Sequence, residues 1–158
     1  HTVHTSLDAL QFANFYYKNS NKNIPTLYKN PQLLSNIIKA CIEKQSGEIK
    51  YVLDSNHNPM AMAFFSQFNG RIVYLYSCST VEGRFVDAMH AILDHTIQRF
   101  SGQNMHLDFE GSMIPGLAAF FQSFGAKLEY YYLYTWNTSL FCKLGLWLKN
   151  YVKFLKRN

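Results

Sequence analysis

The chain has 158 residues, enough for one domain with its own core, and its 48% hydrophobic and 16% charged content excludes a disordered chain. No apolar run reaches the roughly 20 residues that span a bilayer. The net charge of +5 resides in the tail. Residues 140–158 hold Lys143, Lys149, Lys153, Lys156 and Arg157 with no acid, which leaves ten bases against ten acids elsewhere and no basic face for DNA.

Residues 2–5 read as a short strand. Ser6, followed by Leu7, Leu10, Phe12 and Phe15, reads as a capped helix running to about Lys18. The Asn-rich segment 19–30 is a loop. Pro31 suits the first turn of a second helix, whose stripe is Leu33, Leu34, Ile37, Ile38, Cys41 and Ile42 and which ends near Gly47. Three strands are expected at 49–53, 60–68 and 71–78, with a turn at 54–59 and a hairpin at Asn69-Gly70. In the third strand Ile72, Tyr74 and Tyr76 alternate with Val73 and Leu75. Both faces are apolar, as in a strand covered on both sides.

Residues 83–100 have the period of one amphipathic helix, with Phe85, Met89, Ile92, Leu93, Thr96, Ile97 and Phe100 along one side. Asp87, His90 and Asp94 then fall on the opposite, solvated side rather than forming a metal site. A short strand at 105–109, a helix at 115–124 closed by Gly125 and a tyrosine-rich strand at 128–136 follow. Residues 140–156 form a last helix, with Leu140, Leu144, Trp147, Leu148, Tyr151, Val152 and Leu155 on one side and the cations on the other. That pattern suits packing on the protein body, the favoured reading, or peripheral docking on anionic lipid. The order gives an α/β domain over residues 1–139: a mixed, mostly antiparallel sheet with helices on both faces, carrying the basic amphipathic helix 140–158.

Cys41, Cys78 and Cys142 are few, odd in number and far apart, so they are read as reduced thiols of a cytoplasmic protein with no metal site. The chain starts at His1 rather than Met. It is therefore expected to be the C-terminal part of a longer chain, with an N-terminal domain as its partner.

Three segments resemble a known family: YLYSCSTVEGRFVDAMHAILDHTIQ at 74–98, LDFEGS at 107–112 and GLAAFFQSFGAKLEYY at 116–131. Together they resemble the GNAT-fold acyltransferases, and within them the C-terminal half of Fem-type aminoacyl or peptidyl transferases. The resemblance implies transfer of an acyl group to an amine acceptor, with acetyl-CoA, another acyl-CoA or an aminoacyl-tRNA as donor and no tightly bound cofactor. It also implies that the fourth and fifth strands, 71–78 and 105–109, splay apart to admit an extended donor. The usual Q/R-x-x-G-x-G/A phosphate loop is replaced here by Ser79-Thr80-Val81-Glu82-Gly83-Arg84, with a single glycine. A second reading is a non-catalytic half of a tandem transferase, acting as scaffold or interaction domain.

The candidate residues follow. A helix start near Gly83 aims free N–H groups at a phosphate, with Thr80, Arg84 and Phe85 around it; the plainer alternative is a solvated first turn. Glu110, and after it Asp108, stands at a strand end where a carboxylate takes the proton of an acceptor ammonium. Alternation places both on one face. The alternative is that Asp108 serves the local backbone and Ser112 orders the entry to the helix at Pro115. Of Tyr130, Tyr131, Tyr132 and Tyr134, Tyr132 is the candidate for protonating a leaving group, with strand packing as the alternative for each.

Overall fold

The computed structural model describes residues 1–5, 8–20, 30–111, 114–130, 132 and 134. The chain divides into two units, His1–Ala126 and Lys127–Asn158. In the first unit the order is β1 (Val3–Thr5), α1 (Ala9–Asn19), α2 (Pro31–Glu43), β2 (Gly47–Leu53), β3 (Pro59–Phe68) and β4 (Arg71–Ser79). Then come α3 (Val81–Phe85), α4 (Ala88–Phe100), β5 (His106–Asp108) and α5 (Pro115–Gln122). The strands lie in chain order in one sheet, antiparallel throughout except for the parallel pair β4–β5. This is the expected mixed α/β architecture.

Local chemistry sets the element ends. The Asp8 carboxylate caps α1, accepting from the N–H groups of Leu10 and Gln11; Ser6, the expected cap, lies outside the described residues. The Asn30 side chain caps α2 in the same way, accepting from Gln32 and Leu33, and Pro31 follows in the first turn. Asn69 and Gly70, with φ of 46° and 75°, turn β3 into β4 as the dipeptide requires. The Gly70 carbonyl also accepts from the His106 N–H at 2.9 Å, so the same turn starts the β4–β5 pairing.

Each face of the sheet carries its own core. On one, Phe12 and Phe15 of α1 and Leu34 and Ile38 of α2 bury Ile49, Met62 and Phe64. On the other, Ala88, Ile92 and Leu93 of α4 and Phe121 of α5 bury Val52, Phe65, Ile72 and Tyr74. Helices therefore cover both faces, as expected. The simple alternation along β4 does not hold. Phe64 faces Tyr76 and Phe65 faces Tyr74, so Leu75 is an extra residue, a β-bulge. Beyond it the faces exchange: Ile72 and Tyr74 join the α4 side, whereas Tyr76 and Cys78 join the α1 side.

Other expectations are corrected. The helix over 83–100 is two helices, broken where Asp87 takes a left-handed φ of 54°. Two demands explain the break: Gly83 presses on the Met60 carbonyl, while α4 must lay Ala88, Ile92 and Leu93 on the sheet. Phe85 consequently leaves the apolar stripe and is 84% exposed. Asp87, His90 and Asp94 are exposed as expected, and the His90 ring also meets Phe120 and Phe124 with centroids 4.7 and 5.5 Å apart. Leu128, Glu129, Tyr130, Tyr132 and Tyr134 lie in no strand, although β-propensity was high there; propensity makes a strand only where an edge is paired. The expected helix over 140–156 and Cys142 lie outside the described residues.

Among the described residues of this unit one charged group is fully buried. Lys50 of β2 has no solvent exposure. Its ammonium donates to Thr96 Oγ1 at 3.0 Å and pairs with Glu48 at 3.3 Å, with His95 Nδ1 at 3.5 Å. Glu48 in turn holds Arg99 at 2.5 Å. Desolvation, opposed by Glu48, puts the Lys50 pKa below the usual 10.5. The unfolded chain then holds this proton more tightly, so the charged lysine costs stability below its folded pKa, and the cost fades as pH rises toward 10.5. Lys50→Met should be at least as stable as the parent at pH 7, with an advantage that shrinks at higher pH in urea titrations. Glu48→Gln should instead lose about 3 kcal/mol, the scale for stripping a buried charge of its partner. Gly70→Val should cost about 1–2 kcal/mol in the same titrations, because its φ stays left-handed.

Candidate functional site

β4 is nine residues long and β5 only three. They pair at Arg71↔His106, Ile72↔Leu107 and Val73↔Asp108, after which β5 stops. From Tyr74 to Ser79 the edge of β4 facing β5 has no strand partner among the described residues, and the bulge at Leu75 lies at the start of that open stretch. Bulges re-aim a strand and concentrate beside active sites. The edge of β4 is thus left open because β5, shorter than the sequence suggested, ends after three rungs rather than diverging as a strand.

The stop in β5 has a visible cause. Asp108 Oδ2 accepts from Arg71 at 2.6 Å, and its Oδ1 accepts from the Glu110 N–H at 2.7 Å. This Asx-type turn rotates Glu110 to φ 58°, out of strand geometry. Asp108 and Glu110 therefore do not share a strand face. Asp108 is engaged by an arginine and by backbone, whereas Glu110 is exposed and its carboxylate has no hydrogen-bond partner among the described residues. Ser112 lies outside the described residues.

At the far end of the open edge, Thr80 caps α3, its hydroxyl accepting from the Gly83 N–H at 3.0 Å. The Gly83 amide is thereby spent inside the turn. The glycine is needed sterically, because a Cβ there would overlap the Met60 carbonyl. The Arg84 guanidinium donates to the Ser79 carbonyl at 2.9 Å and folds back over the strand end. Of the candidate donor-binding residues, Thr80, Gly83 and Arg84 form one tight turn, and Phe85 projects into solvent beside it. Tyr132 belongs to the second unit, in no helix or strand; its ring centroid is 6.2 Å from that of Tyr134.

Burial keeps nearby protons in place. The Cys78 thiol is pushed up to about 12 by desolvation, so it is no nucleophile at neutral pH. Tyr74 is also raised to about 12 by burial, against a hydrogen bond with Ser77. Cys41 and Cys78 are unpaired thiols. Among the described residues no three His, Cys, Asp or Glu side chains gather as a metal site, and no helix is long and apolar enough to cross a membrane. Two clefts open at the other end of the sheet, by Glu48 and Arg99 and by Phe100 and Met105. At about 180 and 260 Å³ both are smaller than the usual small-molecule site. Sequence reasoning missed the bulge, and with it Tyr76 moving to the side of Tyr16 and Tyr17; no residue type in β4 signals it.

No protein-family profile matches the chain, and no curated protein does. Solved structures do. A crystal structure described as a probable acetyltransferase superposes with a TM-score of 0.66 at 14% identity, covering 88% of this chain and 99% of that one. The ribosomal-protein-alanine N-acetyltransferase from Brucella melitensis biovar Abortus 2308 gives 0.61 at 10%, covering 87% and 99%. A GNAT-family acetyltransferase from Streptococcus pneumoniae TIGR4 gives 0.59 at 11%, covering 87% and 98%. The chain has the GNAT acetyltransferase fold. In this GNAT fold the interrupted β4–β5 pairing is the feature that separates the sheet from an ordinary closed one, and the Thr80–Arg84 turn stands at its mouth. Gly83→Ala should destabilise by about 2 kcal/mol or more, since the Met60 backbone has to shift. A thermal melt on the variant checks this.

Proposed function

We propose that this chain is an N-acyltransferase domain, taking an acyl group from acetyl-CoA or a related acyl-CoA and passing it to a small-molecule amine. The observation that carries the reading is the open edge of β4, which begins at a bulge and ends at a capped turn. Five residues separate Leu75 from Thr80, roughly 16 Å at strand rise. An extended donor arm lies along that edge as an added strand, its amides paired with free backbone groups. Its phosphates reach the turn, where Arg84 supplies a charge and Thr80, Gly83 and Phe85 form the surroundings. The reacting carbonyl then falls near Leu75.

The chemistry asked of the protein is modest. The acceptor arrives as an ammonium and has to lose a proton. The free amine attacks the thioester carbonyl and the C–N bond forms; as the C–S bond breaks, the nitrogen releases its second proton and the thiolate takes one up. Glu110 is the assigned base, acting directly or through water, because Asp108 is held by Arg71. The departing thiolate is left to take its proton from water, since Tyr132, the other candidate acid, lies in the second unit. The resemblance to Fem-type proteins adds aminoacyl-tRNA as an alternative donor, to be assayed beside acetyl-CoA.

Calorimetric titration with acetyl-CoA, longer acyl-CoAs and free coenzyme A tests the reading, and absence of all donor binding would favour a scaffold role. Glu110→Gln should lower turnover by about two to four orders of magnitude with an unchanged melting temperature. Arg84→Ala should mainly weaken donor affinity, and an unchanged affinity would remove Arg84 from the site.

A further inference from the structure

The polar group around Lys50 includes a histidine whose protonation state the contacts define. The Lys50 ammonium has three N–H donors and no lone pair. Among the described residues three acceptors surround it: Thr96 Oγ1 at 3.0 Å, Glu48 Oε1 at 3.3 Å and His95 Nδ1 at 3.5 Å. Thr96 gives its own proton to the Ile92 carbonyl at 2.8 Å, which leaves its lone pairs to the ammonium. An Nδ1 that faces an ammonium has to be bare, so the His95 ring is neutral, with its proton on Nε2.

The charge around that ring comes from two elements. Among the described residues β2 brings Lys50 and Glu48, and α4 brings Arg99 and Asp94. The residues opposite Lys50 on β1 and β3 are Thr5 and Ala63, both uncharged. Glu48 is already divided, one oxygen on Lys50 and the other on Arg99 at 2.5 Å. Asp94 accepts from Gln98 at 2.6 Å. A proton on His95 therefore adds a third cation beside a carboxylate that already serves two. Lys50 has no solvent exposure into which to turn its charge. Burial, and then Lys50 and Arg99, hold the His95 pKa below its usual 6.5, opposed by Glu48 and Asp94.

We infer that His95 is an acid-sensitive latch between α4 and β2, closed while its ring is neutral and weakened once the ring is charged. Ile92 and Leu93 on the same helix cover the sheet, so weakening the latch loosens the core beneath α4. The direction follows from linkage. The unfolded chain takes up the His95 proton first, near pH 6.5. Stability is full above that value, and is lost as pH falls below it until the folded pKa is passed. The inference is independent of the acyl-transfer reading.

Urea titrations of the whole chain at pH 7.5 and 5.5 compare the parent with His95→Asn. The asparagine amide keeps an acceptor near the Nδ1 position, cannot be charged, and has a similar helix propensity. The folding constant of the parent should fall several-fold more between the two pH values than that of the variant. For one proton over this interval the ceiling is about tenfold. NMR supplies a second readout. The His95 ring should titrate with a midpoint below 6.5 in the parent, and that midpoint should rise in Lys50→Met, which removes the ammonium. An equal pH dependence in parent and His95→Asn, a parent midpoint at or above 6.5, or a midpoint unmoved by Lys50→Met overturns the inference. The parent midpoint needs no variant, so the test stands even where a substitution prevents folding.

Discussion

Leu75 is one residue more than the β3–β4 ladder accommodates, and much of the domain is arranged around that surplus. Strand residues alternate between faces with a period of two, so one extra residue exchanges every side chain beyond it. Before the bulge β4 gives Ile72 and Tyr74 to the core beneath α4 and α5. After it, Tyr76 and Cys78 go to the core beneath α1. One strand thereby serves two cores at two levels. The segment that changes sides is also the one left unpaired by β5 among the described residues.

Much of the frame was legible from residue types alone. The three-stranded meander follows from alternating apolar runs and from Asn69-Gly70, whose residues both adopt positive φ. The Pro31 start and the buried Leu34 and Ile38 of α2 follow from helical spacing, although Leu33, Ile37 and Ile42 of the expected stripe are exposed, and Gly125 takes the left-handed φ of 79° expected beyond α5. What sequence reading missed is tertiary in origin. The joint at Asp87 exists because Gly83 and α4 answer to different neighbours, and a helical wheel through 83–100 contains neither constraint. The extra residue in β4 is invisible because Tyr74, Leu75 and Tyr76 are all good strand formers on either face. The carboxylates were found by position, but their division of labour needed the Arg71 contact, 37 residues away in the chain.

The two ends of the sheet are treated differently. At the end where β4 starts, Lys50, Glu48, Thr96 and Arg99 satisfy one another, and Phe65 and Phe100 cover the ammonium at 5.5 and 6.0 Å. That end is a polar knot around one buried ammonium, with Arg99 half-exposed at its rim, and it links α4 to β2. At the other end the polar groups face outward: an exposed glutamate, an arginine folded on a strand end, and phenols at the surface.

The turn at Asp108–Glu110 works as the stop on a zip. Pairing of β4 with β5 opens at the Gly70 carbonyl, runs three rungs and halts where Glu110 turns left-handed. The edge of β4 continues for six residues beyond the last rung, with the bulge at Leu75 near its start. The length of the gap is thus set by the handedness of a single residue and by the carboxylate that holds it. Moving that stop along β5 would lengthen or shorten the open edge while leaving both cores untouched.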